Sequence, residues 1–290
     1  MAETPPRHLL LATDLSARCD RAQDRVLDLA RAWKAKLTIV HALDVVSMTA
    51  TATASTVLAA ARRRASNHLD REFADVGDIA WDVDIREGEP AGVILAAARE
   101  RKCDMIVTGI AGNDALGHML VGSTTASVVR QAGLPVLVVK KRARQAYRRI
   151  VVASDLSEAS AGALQMGALL FPPSCITLFH AFDMPFRSFL DDKDGSEQGR
   201  ANLARKDAKT FLASHLPEGG EDVGIQVAHG DPATLLAEFA VREDIDLLLS
   251  GTYGRTGLLG ALIGSVAEAL LDGVECDVMI VPGRGVRSDG

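Results

Sequence analysis

Two glycine arrangements recur in this sequence. Gly109-Ile-Ala-Gly112 is followed, nine residues later, by Gly122-Ser123. Gly251-Thr-Tyr-Gly254 is followed by Gly264-Ser265 at the same spacing. Each first glycine ends a short apolar run, and each Gly-Ser pair opens a stretch with helical periodicity. Glycine lets a backbone turn tightly and approach a ligand closely. A helix N-terminus offers unpaired N–H groups and a partial positive charge, which suits a phosphate or another anion. Ser123 and Ser265 could add hydroxyl donors. Asp14 and Asp155 end two earlier apolar runs, in Thr-Asp-Leu-Ser and Ser-Asp-Leu-Ser. Doubly wound sheets bind ligands beyond the carboxyl ends of their strands, at the topological switch point. If the strands before Asp14 and Gly109 are neighbours, carboxylate and glycines face one crevice. Spacing alone leaves two readings open, an anion-binding loop and a structural turn, because a duplication copies both kinds of glycine alike.

The elements that must position these residues come as two copies. RHLLLATDLS at residues 7–16 returns as RIVVASDLS at 149–157, HALD at 41–44 as HAFD at 180–183, and GEPA at 88–91 as GDPA at 230–233. CDMIVTG at 103–109 returns as IDLLLSG at 245–251, and VGSTTASVV at 121–129 as IGSVAEALL at 263–271. From Gly88 to Val139 the offset is a constant 142 residues. A period this long means two copies of a whole domain, and the seam KKRARQAYRR (140–149) puts the boundary near residue 145, giving domains 1–145 and 146–290.

In the first copy, His8–Ala12, Leu37–Leu43, Trp81–Arg86, Met105–Thr108 and Val136–Val139 read as strands. Arg18–Lys36, Thr56–Phe73, a segment opened by Pro90 and Ser123–Gln131 read as helices. The second copy repeats that order, with a helix expected at Ala201–His215. Short, continuous apolar strands alternating with helices predict an α/β fold, a parallel sheet covered on both faces. The fifth strands, Val136–Val139 and Val278–Val281, would be apolar edges in need of cover.

Composition narrows the function classes. A chain of 290 residues suits two domains. With 32 Lys and Arg against 38 Asp and Glu, the net charge is −6, so no overall field draws in nucleic acid or an anionic membrane surface. Hydrophobic residues at 48% and charged residues at 24% exclude a wholly disordered chain. No apolar run reaches the ~20 residues of a membrane span. The stretch MAETPPRHLLLATD lacks a secretory pattern. Cys19, Cys103, Cys175 and Cys276 are scattered, which fits a reducing cytoplasm better than a disulfide or zinc framework.

G-x2-G-x9-G-S after a strand, with D-x-S after strand one, resembles the ATP-binding subclass of the universal stress proteins. GTYGRTGLLGALIGSVAEALL is especially close to that family's loop and helix, and the resemblance covers both halves. It implies two five-stranded parallel domains of order 3-2-1-4-5, related by a pseudo-two-fold that brings the fifth strands together. One chain would thus form an intramolecular pseudo-dimer, with a homodimer also open. It further implies cytoplasmic binding of an adenine nucleotide, ATP with Mg²⁺ or Mn²⁺, and a role in stress response with slow or no hydrolysis. By motif, Asp14 and Ala42 would hold the adenine side in copy one. Gly109 and Gly112 would line ribose and phosphates, and Gly122, Ser123 and Thr124 the phosphates. The matching positions in copy two are Asp155, Ala181, Gly251, Gly254, Gly264, Ser265 and Val266. Copy one carries Asn113-Asp114 where copy two has Arg255-Thr256. An aspartate repels a triphosphate unless a cation intervenes, so copy two is expected to bind ATP more tightly and copy one to depend more on metal.

Other features carry less. No G-x-x-x-x-G-K-[ST], G-x-S-x-G or H-E-x-x-H occurs. His41 and His180 read as packed or hydrogen-bonded strand histidines, Cys19 as a small core hydrophobe, and the basic run at 140–149 as a solvated linker. AFDMPFRSFLDDKDGSEQGR (181–200) reads as a loop, a lid or a docking patch. Two rivals to nucleotide regulation stay open: an interaction protein whose glycine loops are structural, and an ATP-dependent substrate-activating enzyme.

Overall fold

The computed structural model describes residues 4–43, 54–113, 119–182, 193–252 and 263–283. The chain divides into two compact units, residues 1–146 and 147–290.

In the first unit the elements are β1 (His8–Ala12), α1 (Asp20–Trp33), β2 (Lys36–Leu43), α2 (Ala54–Glu72), β3 (Trp81–Glu87), α3 (Pro90–Glu100) and β4 (Met105–Thr108). A two-residue ribbon, β5 (Gly112–Asn113) with β6 (Met119–Leu120), precedes α4 (Ser123–Gln131) and β7 (Val136–Val138). The large sheet of this unit runs β3-β2-β1-β4-β7, all parallel. Leaving out the ribbon, that is the order 3-2-1-4-5. The burial pattern explains why. Every residue of β1, β4 and β7 is buried, so these strands need helices on both faces.

The second unit repeats the order with β8 (Ile150–Ala153), α5 (Glu158–Leu170), β9 (Ile176–Phe182), α6 (Lys193–His215), β10 (Gly224–His229), α7 (Pro232–Arg242), β11 (Leu247–Gly251), α8 (Ser265–Gly273) and β12 (Asp277–Val281). Its sheet runs β10-β9-β8-β11-β12, again parallel. Pro90 and Pro232 stand in the first turn of α3 and α7, where a missing N–H costs nothing. Among the described residues no helix is long and apolar enough to cross a membrane.

Three expectations change. The stretch expected as a loop to residue 200 enters α6 at Lys193, so α6 is eight residues longer than its apolar periodicity indicated. The basic run is not a solvated linker throughout. Lys140 and Tyr147 are buried, and the Tyr147 hydroxyl donates to Asp277 Oδ2 at 2.6 Å. Arg21 and Arg25 donate to the Lys140 and Gln145 carbonyls, while Arg142, Arg144 and Arg148 stay exposed. The ribbon β5–β6 is new, because two-residue strands carry no periodicity to read.

Beneath β1, the His8 ring bonds the Thr38 hydroxyl at 2.8 Å, with Cys103 Sγ at 3.7 Å. Burial, reinforced by the nearby Lys36 charge, holds the His8 pKa below its ordinary value. The unfolded chain therefore binds more protons than the folded one as pH falls through the ordinary histidine range. Stability is full above that range and declines below about pH 6.5. Denaturant unfolding between pH 5 and 8 should show this decline, and His8→Gln, which keeps a side-chain hydrogen bond to Thr38 without the titration, should flatten it. An unchanged slope in the variant would assign the pH dependence elsewhere.

Candidate functional site

Each unit has a crevice at the carboxyl ends of its two central strands. The first, about 300 Å³, lies beyond β1 and β4. The second, about 310 Å³, lies beyond β8 and β11. Both are at the lower end of the range for small-molecule sites. They form where the chain leaves neighbouring parallel strands toward opposite faces of the sheet.

The aspartate side is built by a tight loop present twice. Thr13 Oγ1 and Ser154 Oγ accept from the amides of Leu15 and Leu156, each at 3.0 Å. Asp14 Oδ1 and Asp155 Oδ1 accept from the amides of Ser16 and Ser157 at 2.9 and 3.1 Å. Leu15 and Leu156 are thereby held left-handed, at φ 62° and 60°, a conformation that costs a leucine about 1–2 kcal/mol. Strain kept in both copies, beside an open crevice, is the kind stored at functional sites. The N-cap residue of the next helix then donates to the same carboxylate oxygen: Cys19 Sγ to Asp14 at 3.2 Å, and Ser157 Oγ to Asp155. Partial burial raises the Asp14 pKa, but bonds from Ser16 and Cys19 and the Arg18 charge outweigh it, so Asp14 titrates below the ordinary aspartate value.

Cys19 is thus not the core hydrophobe expected from its helical position. It lines the crevice, and burial pushes its thiol up to about 11, leaving it a protonated donor rather than a nucleophile. His41 and His180 agree with their expected role. Each Nδ1–H donates to the carbonyl just past β1 or β8, that of Thr13 or Ser154, at 2.9 Å.

Opposite the aspartates stand the N-termini of α4 and α8. Their N-caps are Gly122 and Gly264, and neither makes a side-chain cap bond. The first intrahelical bonds run from Ala126 to Gly122 and from Glu268 to Gly264, so the amides of the first turn lack backbone partners within the helix. Three other helix starts differ: Glu89, Ser157 and Asp231 cap α3, α5 and α7 with side-chain oxygens, whereas α1, behind Cys19, also lacks a side-chain cap bond. Asp14, Ala42, Gly109, Gly122, Ser123 and Thr124 share the first crevice. Asp155, Ala181, Gly251, Gly264, Ser265 and Val266 share the second. Gly112 opens β5, paired with Leu120. Gly254, Tyr253 and Arg255, and Asp114 of copy one, lie outside the described residues.

Sequence reasoning missed an apolar wall, Pro90 and Ile94 on α3 and Pro232 and Leu236 on α7. The duplicated GEPA and GDPA segments were its signal. It also missed what the glycines pack against. A Cβ on Gly122 would meet the Ala111 Cβ at 2.9 Å. One on Gly264 would meet the Thr252 carbonyl oxygen at 3.2 Å, and one on Gly109 the Arg18 carbonyl oxygen at 3.3 Å. These glycines fit the loop to its own protein. A valine at Gly264 would thus disturb the loop as well as any ligand. Each crevice thus combines an apolar wall, a carboxylate and the first-turn amides of a helix.

Fold and site define a tandem of doubly wound domains, each with a crevice at its switch point. The sequence pattern of the universal stress protein family matches residues 6–140 and again 146–282, and the chain belongs to that family. A universal stress protein of Mycolicibacterium smegmatis is 27% identical over 307 aligned positions, covering 95% of this chain and 97% of that protein. A universal stress protein of Methanocaldococcus jannaschii is 28% identical over 141 positions, 47% of this chain and 82% of that protein. The crystal structure of a universal stress protein from Archaeoglobus fulgidus has a TM-score of 0.68 at 16% identity and covers 96% of this chain and 99% of its own, a likeness of fold.

The glycine packing makes a ligand-free prediction. Gly122→Ala should destabilise the first domain by about 1–3 kcal/mol, because its Cβ has no room beside Ala111. Gly264→Ala should cost less, since a single oxygen at 3.2 Å can yield. Denaturant unfolding without nucleotide checks the order; equal or reversed losses would mean the loops adjust freely.

Proposed function

We propose that both domains bind an adenine nucleotide, ATP with Mg²⁺ or Mn²⁺, and that the protein acts in the cytoplasmic stress response as a nucleotide-dependent regulator. The observation that carries this reading is the pair of uncapped helix N-termini, each across a crevice from a carboxylate held by a strained loop. In each crevice the adenine would lie on the side of Asp14 and Ala42, or Asp155 and Ala181, against the proline wall. The phosphates would take the amides and hydroxyls at Gly122, Ser123 and Thr124, or at Gly264 and Ser265, with Gly109, Gly112, Gly251 and Gly254 along the path. Val266 offers only its amide where copy one has the Thr124 hydroxyl. Among the described residues no group of three or more His, Cys, Asp or Glu could hold a metal by itself. The cation would therefore be held through the triphosphate, where it screens the negative charge.

Hydrolysis in this reading is slow. No histidine lines either crevice among the described residues, Cys19 is kept protonated, and Asp14 titrates below the ordinary aspartate value, so no strong base is offered to an attacking water. Copy two is the tighter site, because Arg255 can form charge-assisted contacts that Asp114 cannot. A second reading, a protein-interaction module with structural glycines, is favoured by the packing of Gly109, Gly122 and Gly264 alone.

Mass spectrometry of the supernatant from denatured, purified protein separates the two readings; ATP, ADP or AMP is expected. Calorimetric titration with ATP should then find two sites. Ala42→Phe and Ala181→Phe would each fill the adenine side of one crevice without touching the glycine loops, and each should weaken its own site at least about tenfold. EDTA should weaken the first-domain site more than the second. No nucleotide in the supernatant, together with ATP affinities unmoved by either phenylalanine, would favour the interaction module.

A further inference from the structure

We propose that the second domain carries another binding site, a groove for a monocarboxylate with an apolar tail. The groove has a volume of about 660 Å³ and lies between the C-terminal half of α6 and the chain entering β10. That is well within the range of small-molecule sites. Leu212, Leu216, Val223 and Ile225 supply its apolar floor. Arg205 and Lys209 line it four residues apart, hence on one face of α6. Among the described residues no carboxylate pairs with either cation.

The first domain shows why the groove exists. Trp81 pairs with Leu37, and Leu37 with Leu9. In the second sheet Gly224 pairs with Thr177, and Ile176 with Ile150, which puts Val223 beside Ile176. Leu9 and Ile150 in turn face Met105 and Leu247, residues 142 apart. Trp81 and Val223 therefore hold the same place in the two sheets. The Trp81 ring packs on Phe73 with centroids 5.6 Å apart. Valine at that place lacks an indole's bulk, and the space between α6 and β10 stays open.

Charge and shape select the occupant. An apolar chain gains by covering the leucine and valine floor. A single negative head at the Arg205 and Lys209 end meets two cations with no described partner. Glu221 lines the groove near the Leu212 end, where Gly220 packs against the Leu212 carbonyl. Arg205 and Leu212 are roughly 10 Å apart along the helix, at ~1.5 Å per residue. A second carboxylate on the ligand would therefore be driven toward Glu221. The groove accepts one acid group, not two.

Octanoate, 1-octanol and octanedioate, titrated calorimetrically into the full chain, test this. Octanoate should bind saturably, one per chain, with the alcohol and the diacid at least about threefold weaker, the modest gap expected for exposed charges. Val223→Trp should abolish binding by refilling the groove. The Arg205→Ala/Lys209→Ala pair, on the surface and harmless to folding, should weaken it about threefold to tenfold. ATP affinity should be the same with and without octanoate, which keeps this site distinct from the crevices. Octanoate that fails to saturate, or that binds equally well to both variants, overturns the proposal. So does a dimer in sedimentation velocity that Val223→Trp converts to monomer, since the groove would then seat a second copy.

Discussion

A strand in the middle of a buried parallel sheet spends its backbone hydrogen bonds on both neighbours, so the chain can turn away only at the strand's end. Everything functional here follows from that constraint. β1 and β8 are bonded on both sides, and their neighbours leave toward opposite faces. The carboxyl ends of the central strands become an opening that no local packing can fill. The histidine bonds to the Thr13 and Ser154 carbonyls hold the next strand to this opening at its edge. The left-handed leucines fold the departing chain back so that each aspartate borders the crevice.

The two copies separate what the architecture requires from what may vary. Backbone features repeat closely: the positive φ at Leu15 and Leu156 recurs at Lys102 and Asp244 behind α3 and α7. Several side chains around the crevice do not. Cys19 donates where Ser157 donates, Val40 stands in the register place of Phe179, and Val266 and Ala267 hold the places of Thr124 and Thr125. A backbone geometry is an all-or-none requirement of the switch point. The identity of a wall residue tunes only what fits within it, so duplicated sites can drift apart without loss of fold.

The glycines show how packing and ligand chemistry overlap. Gly122 and Gly264 are small because the preceding loop returns against them. That same return leaves the helix N-terminus uncapped by any side chain and open to the crevice. A residue bulky enough to cap the helix from that position would break the loop. The structural and the anion-binding readings of the motif are therefore two consequences of one close approach.

The succession of strands and helices, the helix faces and the paired aspartates and glycines were legible in the sequence. Apolar runs, helical periodicity and a duplicated spacing are local signals, and the repeat wrote each of them twice. The resemblance added the topology, which periodicity alone could not order. Other features needed the tertiary structure because their meaning depends on partners far along the chain. Cys19 reads as core on its own helix and becomes a crevice donor only when Asp14 is beside it. Pro90 and Ile94 become a wall only when α3 packs over β2. Trp81 and Val223 look like ordinary strand residues until the register puts them at one place in two sheets, where indole volume fills a groove and its absence leaves one. Periodicity reports which side of an element is apolar. Which atoms that side meets, and whether space remains between them, is decided by packing in three dimensions.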